Sequence, residues 1–330
     1  MSKKIIAIFS GQGSQFTGMG KELYTNSEAA RNVFNEAVEV MGEDILKLCF
    51  ETELETLTQT VNAQPAIYTV SYAAYAAFKE YLKNNNIEND IEFSAFAGHS
   101  LGEYTAIAAS GASTFKKTLE FVNYRAQYMQ KCGEENEGTM AAVMGLSFED
   151  LDKLCKEIAT ELNTIISVGL FNTPVQLVAS GTIVGVNELC KRAVDAGARR
   201  AMPLTVGGPF HTAIMTPAAE KLKEHKSILD LQKPAKPVAL NGFGIVTDDV
   251  AKIDEGLIKQ MNNPILWVKC VEELQKLHPD AAFIEFCPKN VLKGLVKKID
   301  RKIEIYTVDT MDSIKETMDK INENNESAGV

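Results

Sequence analysis

Phe96-Ala97-Gly98-His99-Ser100-Leu101-Gly102-Glu103 sets a serine between two glycines, directly after an apolar run. Residues 92–97 read as a strand and 101–109 as the helix that follows. The order strand, Gly-x-Ser-x-Gly, helix is that of a nucleophile elbow, a sharp turn that lifts a serine hydroxyl clear of its neighbours. Side chains at 98 and 102 would collide with the adjoining strand or helix, which gives the glycines their reason. The first amides of the helix would face any negative charge developing beside Ser100. An ordinary Gly/Ser turn has the same letters, so the pattern gains its meaning from the chain around it.

Outward from the elbow, short β-rich runs alternate with helical patterns. Residues 4–9 read as a strand ending in the turn Ser10-Gly11-Gln12-Gly13-Ser14-Gln15. Residues 26–41 and 65–83 carry helical spacing. Such alternation argues for an α/β fold with a parallel sheet flanked by helices. Near Cys132-Gly133-Glu134 the character changes. From 139 to 206 the order is strand, helix (148–162), strand, strand, helix (184–196), strand. That βαββαβ order is the ferredoxin-like arrangement and fits a compact insert. Gly207-Gly208-Pro209 then returns the chain to the main body, where 215–226 reads as a helix and 234–240, 282–286 and 303–308 as strands. The last residues, 322–330, are polar and read as frayed.

Composition narrows the class. A chain of 330 residues, 45% hydrophobic, buries a full core. Its net charge of −10, with no lysine- or arginine-rich block, argues against nucleic acid as a partner. Neither the N-terminal apolar run nor any later one has the length of a signal peptide or a membrane span. The six cysteines are widely spaced without a CxxC pair, which predicts reduced thiols in a cytoplasmic protein and neither a disulfide framework nor a zinc site.

A nucleophilic serine needs a base, and there are four histidines. His99 adjoins Ser100, where the two side chains diverge. His225 lies in a lysine-rich stretch and reads as a surface residue; His278 precedes Pro279 in a loop. His211, in Val206-Gly207-Gly208-Pro209-Phe210-His211-Thr212, sits in a glycine-rich loop of the kind that carries catalytic groups, and is the candidate base. No third acid stands out: Asp195, Asp248 and Asp249 occupy no distinctive motif, and a backbone carbonyl would orient the ring equally well. For the oxyanion, Leu101 N–H follows the nucleophile, and the Gly11-Gln12-Gly13 loop allows a second close backbone donor. Arg125 is set in the largely apolar helical run 121–129, and its planar fork suits a carboxylate in a way a lysine does not.

Gly11-Gln12-Gly13-Ser14-Gln15, Gln64-Pro65-Ala66, Gly98-His99-Ser100-Leu101-Gly102-Glu103, Arg125, Pro209-Phe210-His211 and Asn263-Pro264-Ile265-Leu266-Trp267 occur in this order. Together they resemble the malonyl-CoA:acyl-carrier-protein transacylase family, over roughly residues 4–310. The resemblance implies an α/β-hydrolase-like, parallel-sheet large subdomain (1–135 and 206–315), an inserted ferredoxin-like subdomain (136–205) and a polar tail (316–330). It implies that Ser100 is acylated, with His211 as base and then acid. It further implies oxyanion donors at the Gln12 and Leu101 amides, Arg125 on the malonyl carboxylate, the Gln260 carbonyl orienting His211, and Phe210 and Gln64 shaping the acyl pocket. The implied reaction is ping-pong transfer from malonyl-CoA to the phosphopantetheine thiol of an acyl carrier protein, in fatty-acid or polyketide synthesis, with no bound cofactor or metal.

The chain departs from that pattern at Ser10, where a proline is common, at Cys287-Pro288-Lys289-Asn290, which replaces a glycine-proline-glycine stretch, and at Leu240-Asn241-Gly242-Phe243-Gly244. Two other readings use the same residues. A thioester hydrolase clearing carrier proteins would need Ser100 and His211 but gains little from Arg125. A non-catalytic carrier-binding module would need neither.

Overall fold

The computed structural model describes residues 2–204 and 206–328. Its ten strands are β1 Lys3–Phe9, β2 Ile91–Gly98, β3 Gly138–Met144, β4 Ile166–Thr173 and β5 Gln176–Thr182. The second half supplies β6 Arg200–Leu204, β7 Val238–Leu240, β8 Ile245–Thr247, β9 Ala282–Phe286 and β10 Ile305–Val308. The large sheet has the order β10-β9-β1-β2-β7-β8, parallel throughout except for β8. The small sheet, β4-β5-β3-β6, is antiparallel.

The apolar composition of β1 follows from burial on both faces. Ile5, Ala7 and Phe9 join one core, while Ile6 and Ile8 join the core on the opposite side. β2 and β9 divide in the same way, Phe96 against Ala95 and Ala97, and Ile284 against Phe283. A parallel sheet covered by helices on both faces demands such strands. Two helices, Phe148–Glu161 and Ile183–Arg192, cover the small sheet around Leu151, Ile158, Val168 and Leu189. Backbone bonds from Phe171 N to Ile265 O and from Ile265 N to Gly169 O, both 2.9 Å, stitch β4 to the large body.

The α/β class and the βαββαβ insert agree with the sequence reading; several limits do not. The expected tail from 316 is instead part of the helix Met311–Ala328. Ile314, Met318 and Ile321 recur at helical spacing and are buried, a stripe the polar residues between them obscure. The strand expected over 234–240 shortens to β7, because neither Pro234 nor Pro237 has an N–H to give a ladder. The helix expected from 215 is a 3-10 turn, Ala213–Met215, followed by Thr216–Lys223. The helix expected from Pro65 begins at Thr60, with Gln59 O accepting from Asn62 and Ala63 N–H. β8 had no expectation at all.

Candidate active site

β2 ends at Gly98 and the helix Leu101–Ala109 begins three residues later, leaving Ser100 at φ 51°, ψ −103°. The flanking glycines are compelled by contact. A Cβ on Gly98 would lie 1.9 Å from the Gly102 carbonyl carbon, and one on Gly102 would lie 2.0 Å from Phe9 O. The turn therefore packs backbone on backbone against the end of β1, and Ser100 lines a cavity beside it.

His211 reaches this serine from the loop after β6, and is itself at φ 63°. Its Nε2 is 2.9 Å from Ser100 Oγ, and its Nδ1 is 2.6 Å from the Gln260 carbonyl. A carbonyl only accepts, so Nδ1 carries the proton and Nε2 offers a lone pair to the serine hydroxyl. Burial, then the nearby Arg125 cation, push the His211 pKa down to about 3, so the ring is neutral at rest.

Arg125, from the helix Phe115–Glu135, is 1% exposed. Nη1 donates to Gln64 Oε1 (2.6 Å); Nη2 donates to Ser100 Oγ and Gln260 Oε1 (3.1 Å each). Its carbon lies 5.1 Å from the Tyr104 ring centre, and Nε has no hydrogen-bond partner among the described residues. These partners are all neutral. Isolated buried charge is costly, so a cation so placed is suited to an anionic ligand.

Ser100, His211, Arg125, Gln12, Leu101, Gln64 and Phe210 line one cavity of about 230 Å³, closed on its apolar side by Met129, Met140, Leu170, Leu204 and Val206. Gln260 stands behind it, fully buried. All eight residues singled out in the sequence thus converge. The Gly11–Gly13 loop is held by Ser14 Oγ on Gly11 O and by Gln15 Oε1 on Gly13 N–H. Behind that loop, Ser10 Oγ donates to the buried Glu285 carboxylate (2.7 Å), which also accepts from the amides of Val291, Leu292 and Lys293.

The remaining histidines take other work. His99 turns away to Asn172 Oδ1 (2.7 Å) and lies edge-on to Trp267. His225 is no bare surface residue: it stacks on Tyr124 at 3.9 Å and bonds the Tyr128 hydroxyl. Sequence reasoning quoted two residues within longer stretches and gave them no role: Asn241, whose side chain bonds Ser100 N–H and Gly98 O, and Glu103, which accepts from Asn241 N–H. A lone carboxylate in the first turn of an otherwise apolar helix was the available signal for Glu103; Asn172 and Asn241 carried none.

A strained serine paired with a histidine on a parallel α/β sheet is the arrangement of a serine-nucleophile enzyme of the acyl-transfer or hydrolase kind. Residues 7–306 match the family model described as the acyl transferase domain. A malonyl CoA-acyl carrier protein transacylase of Bacillus subtilis (strain 168) is 40% identical over 327 residues, covering 98% of this chain and 99% of its own. Among solved structures, an acyl-carrier-protein S-malonyltransferase of Burkholderia pseudomallei superimposes with a TM-score of 0.87 at 35% identity, covering 96% and 99% of the two chains. A malonyl-transacylase in complex with its type II PKS acyl-carrier protein does so at 0.88 and 32%, with 96% and 99% covered. The chain belongs to the acyl transferase domain family, and within it to the malonyl CoA-acyl carrier protein transacylases.

Proposed function

We propose that the protein transfers the malonyl group of malonyl-CoA to the phosphopantetheine thiol of an acyl carrier protein, through an ester on Ser100. The observation that carries this reading is Arg125 donating to the oxygen of Ser100, whose other partner is His211 Nε2. Nucleophile, base and carboxylate receptor thereby share one atom.

In the first half-reaction Ser100 Oγ attacks the thioester carbonyl while its proton passes to His211 Nε2. Gln12 and Leu101 line the cavity where the oxyanion develops, and their amides serve as its donors. The C–S bond then breaks, and His211 returns the proton to the CoA sulfur. In the second half the carrier thiol gives its proton to His211, attacks the ester carbonyl and leaves with the malonyl group; the proton goes back to Ser100. The Gln260 carbonyl holds the imidazole tautomer through both halves. Arg125 grips the malonyl carboxylate through paired hydrogen bonds and fixes the acyl carbonyl at Oγ. Phe210 and Gln64 bound the acyl pocket. The chemistry calls for no bound cofactor, since malonyl-CoA enters as substrate and phosphopantetheine belongs to the carrier. Six unpaired cysteines fit a reducing, cytoplasmic location, and no helix among the described residues is long and apolar enough to cross a membrane.

The test is intact-mass analysis after incubation with malonyl-CoA or acetyl-CoA, with and without holo carrier protein. A malonyl adduct that disappears with Ser100→Ala and moves to the carrier is the expected result. Free malonate without carrier malonylation would instead establish a hydrolase.

A further inference from the structure

We propose that Asn241 is a positioning residue for the nucleophile, its carboxamide bracing the turn so that Ser100 stays aimed at His211. Oδ1 accepts from Ser100 N–H (2.7 Å) and Nδ2 donates to Gly98 O (2.8 Å). One partner can only donate and the other only accept, which fixes the orientation of the amide. The backbone of Asn241 is anchored as firmly. Its N–H donates to Glu103 Oε2 (2.6 Å), and its carbonyl accepts from Leu266 N–H (3.0 Å). The residue is wholly buried just past the end of β7, so it ties the turn to the neighbouring strand, to the following helix and to the 263–266 segment.

The turn needs such a brace. Ser100 lies at positive φ, a conformation that persists in a side-chain-bearing residue only where the surroundings over-determine it. Asn241 holds its amide and Gln260 Nε2 holds its carbonyl (2.9 Å), so both backbone groups of the nucleophile are fixed. Without the carboxamide, the peptide before Ser100 keeps only the bond from Gly102 N–H to the His99 carbonyl (2.9 Å), and its N–H end swings loose. That rotation carries Oγ off the His211 lone pair, while Gln260 Nε2 keeps the Ser100–Leu101 peptide in place. Gln64 and Arg125 belong to the helices Thr60–Asn84 and Phe115–Glu135 and stay in place. The loss therefore falls on chemistry and not on binding.

The inference rests on Ser100 being the acylated residue. The experiment compares rapid-quench acylation of wild type and Asn241→Ala at saturating malonyl-CoA, and measures malonyl-CoA affinity of Asn241→Ala in a Ser100→Ala background. The expected result is acylation about 10- to 100-fold slower, the scale of a nucleophile displaced by about an ångström, with affinity unchanged. A folded variant acylated at the wild-type rate overturns the proposal, as does a parallel loss of affinity, which would mark general damage to the cavity. If Asn241→Ala does not fold, Asn241→Asp, which keeps an acceptor for Ser100 N–H and loses the donor to Gly98 O, is judged by the same two measurements. Failure of the wild type to form the adduct would overturn the Ser100 reading itself, and is seen separately.

Discussion

Arg125→Ala should slow acylation by malonyl-CoA and spare acylation by acetyl-CoA. In the resting structure Nη1 is held by Gln64 and Nη2 is shared between Ser100 and Gln260. A malonyl carboxylate replaces these neutral acceptors with charged ones, and hydrogen bonds to charged groups contribute about 1.5–3 kcal/mol. The Gln64 and Ser100 contacts surrendered in exchange limit the net gain to about one such bond, so malonyl acylation should fall by roughly 10- to 100-fold. Acetyl-CoA offers nothing to the guanidinium and gains by its removal. The Ser100 oxygen loses a competing donor, and His211 loses the influence that, after burial, most depresses its basicity. Acetyl acylation should therefore hold steady or rise. Arg125→Lys keeps the charge without the two-pronged geometry and should fall between. Rapid-quench intact-mass measurement of Ser100 acylation with each CoA ester gives both rates, with cooperative melting as the control for folding. Acetyl and malonyl rates falling by the same factor would refute the clamp and leave Arg125 as a structural support for the serine.

Gly98→Ala and Gly102→Ala each force a methyl group to within about 2 Å of backbone atoms. Each should lose about 3 kcal/mol or more of stability in denaturant unfolding, and a wild-type midpoint in either would show that the turn does not pack as described. Acid should weaken the protein through His211. Its pKa falls from 6.5 to about 3 on folding, so below pH 6.5 the unfolded chain binds a proton that the folded one refuses. Stability is then lost as pH falls from 6.5 toward 3, at up to about 1.4 kcal/mol per pH unit. Glu103 acts with the opposite sign, because burial pushes it from 4.5 up to about 8 and stability is lost as pH rises across that interval. Unfolding free energies measured across pH should show a flatter acid limb in His211→Asn and a flatter alkaline limb in Glu103→Gln; unchanged limbs would exclude these groups as the source.

What the sequence displayed and what it hid follow one physical division. Ser100, His211 and Arg125 were legible because each breaks its local context: a serine between glycines, a histidine in a glycine loop, a charge in the largely apolar run 121–129. The parallel sheet was legible because β1 and β2 are apolar at successive positions. Asn241, Asn172 and Glu285 were not legible, because each earns its place through partners 73 or more residues away or through backbone amides that no side-chain pattern encodes. The buried stripe of the last helix failed for another reason. Three apolar residues among many polar ones make a weak signal until the core they cover is known.

The absence of a triad acid is explained by the charge the site must keep. A carboxylate would orient His211 as well as the Gln260 carbonyl does. It would also stand beside Arg125, and a pair of opposite charges about 4 Å apart attract by about 4 kcal/mol at an effective dielectric near 20. An incoming malonyl carboxylate would have to compete with that internal partner. Gln260 avoids the conflict with a neutral residue: its main-chain oxygen holds the imidazole, its side-chain oxygen takes Arg125 Nη2, and its Nε2 holds the Ser100 carbonyl. Glu103 is the carboxyl group whose charge would reach Arg125, and burial holds it largely protonated at neutral pH. The guanidinium thus faces the cavity without a counter-ion of its own. On the proposed role of Arg125, the anion that completes the site is the one on the acyl group, and selectivity for a carboxylated substrate follows from leaving that place empty.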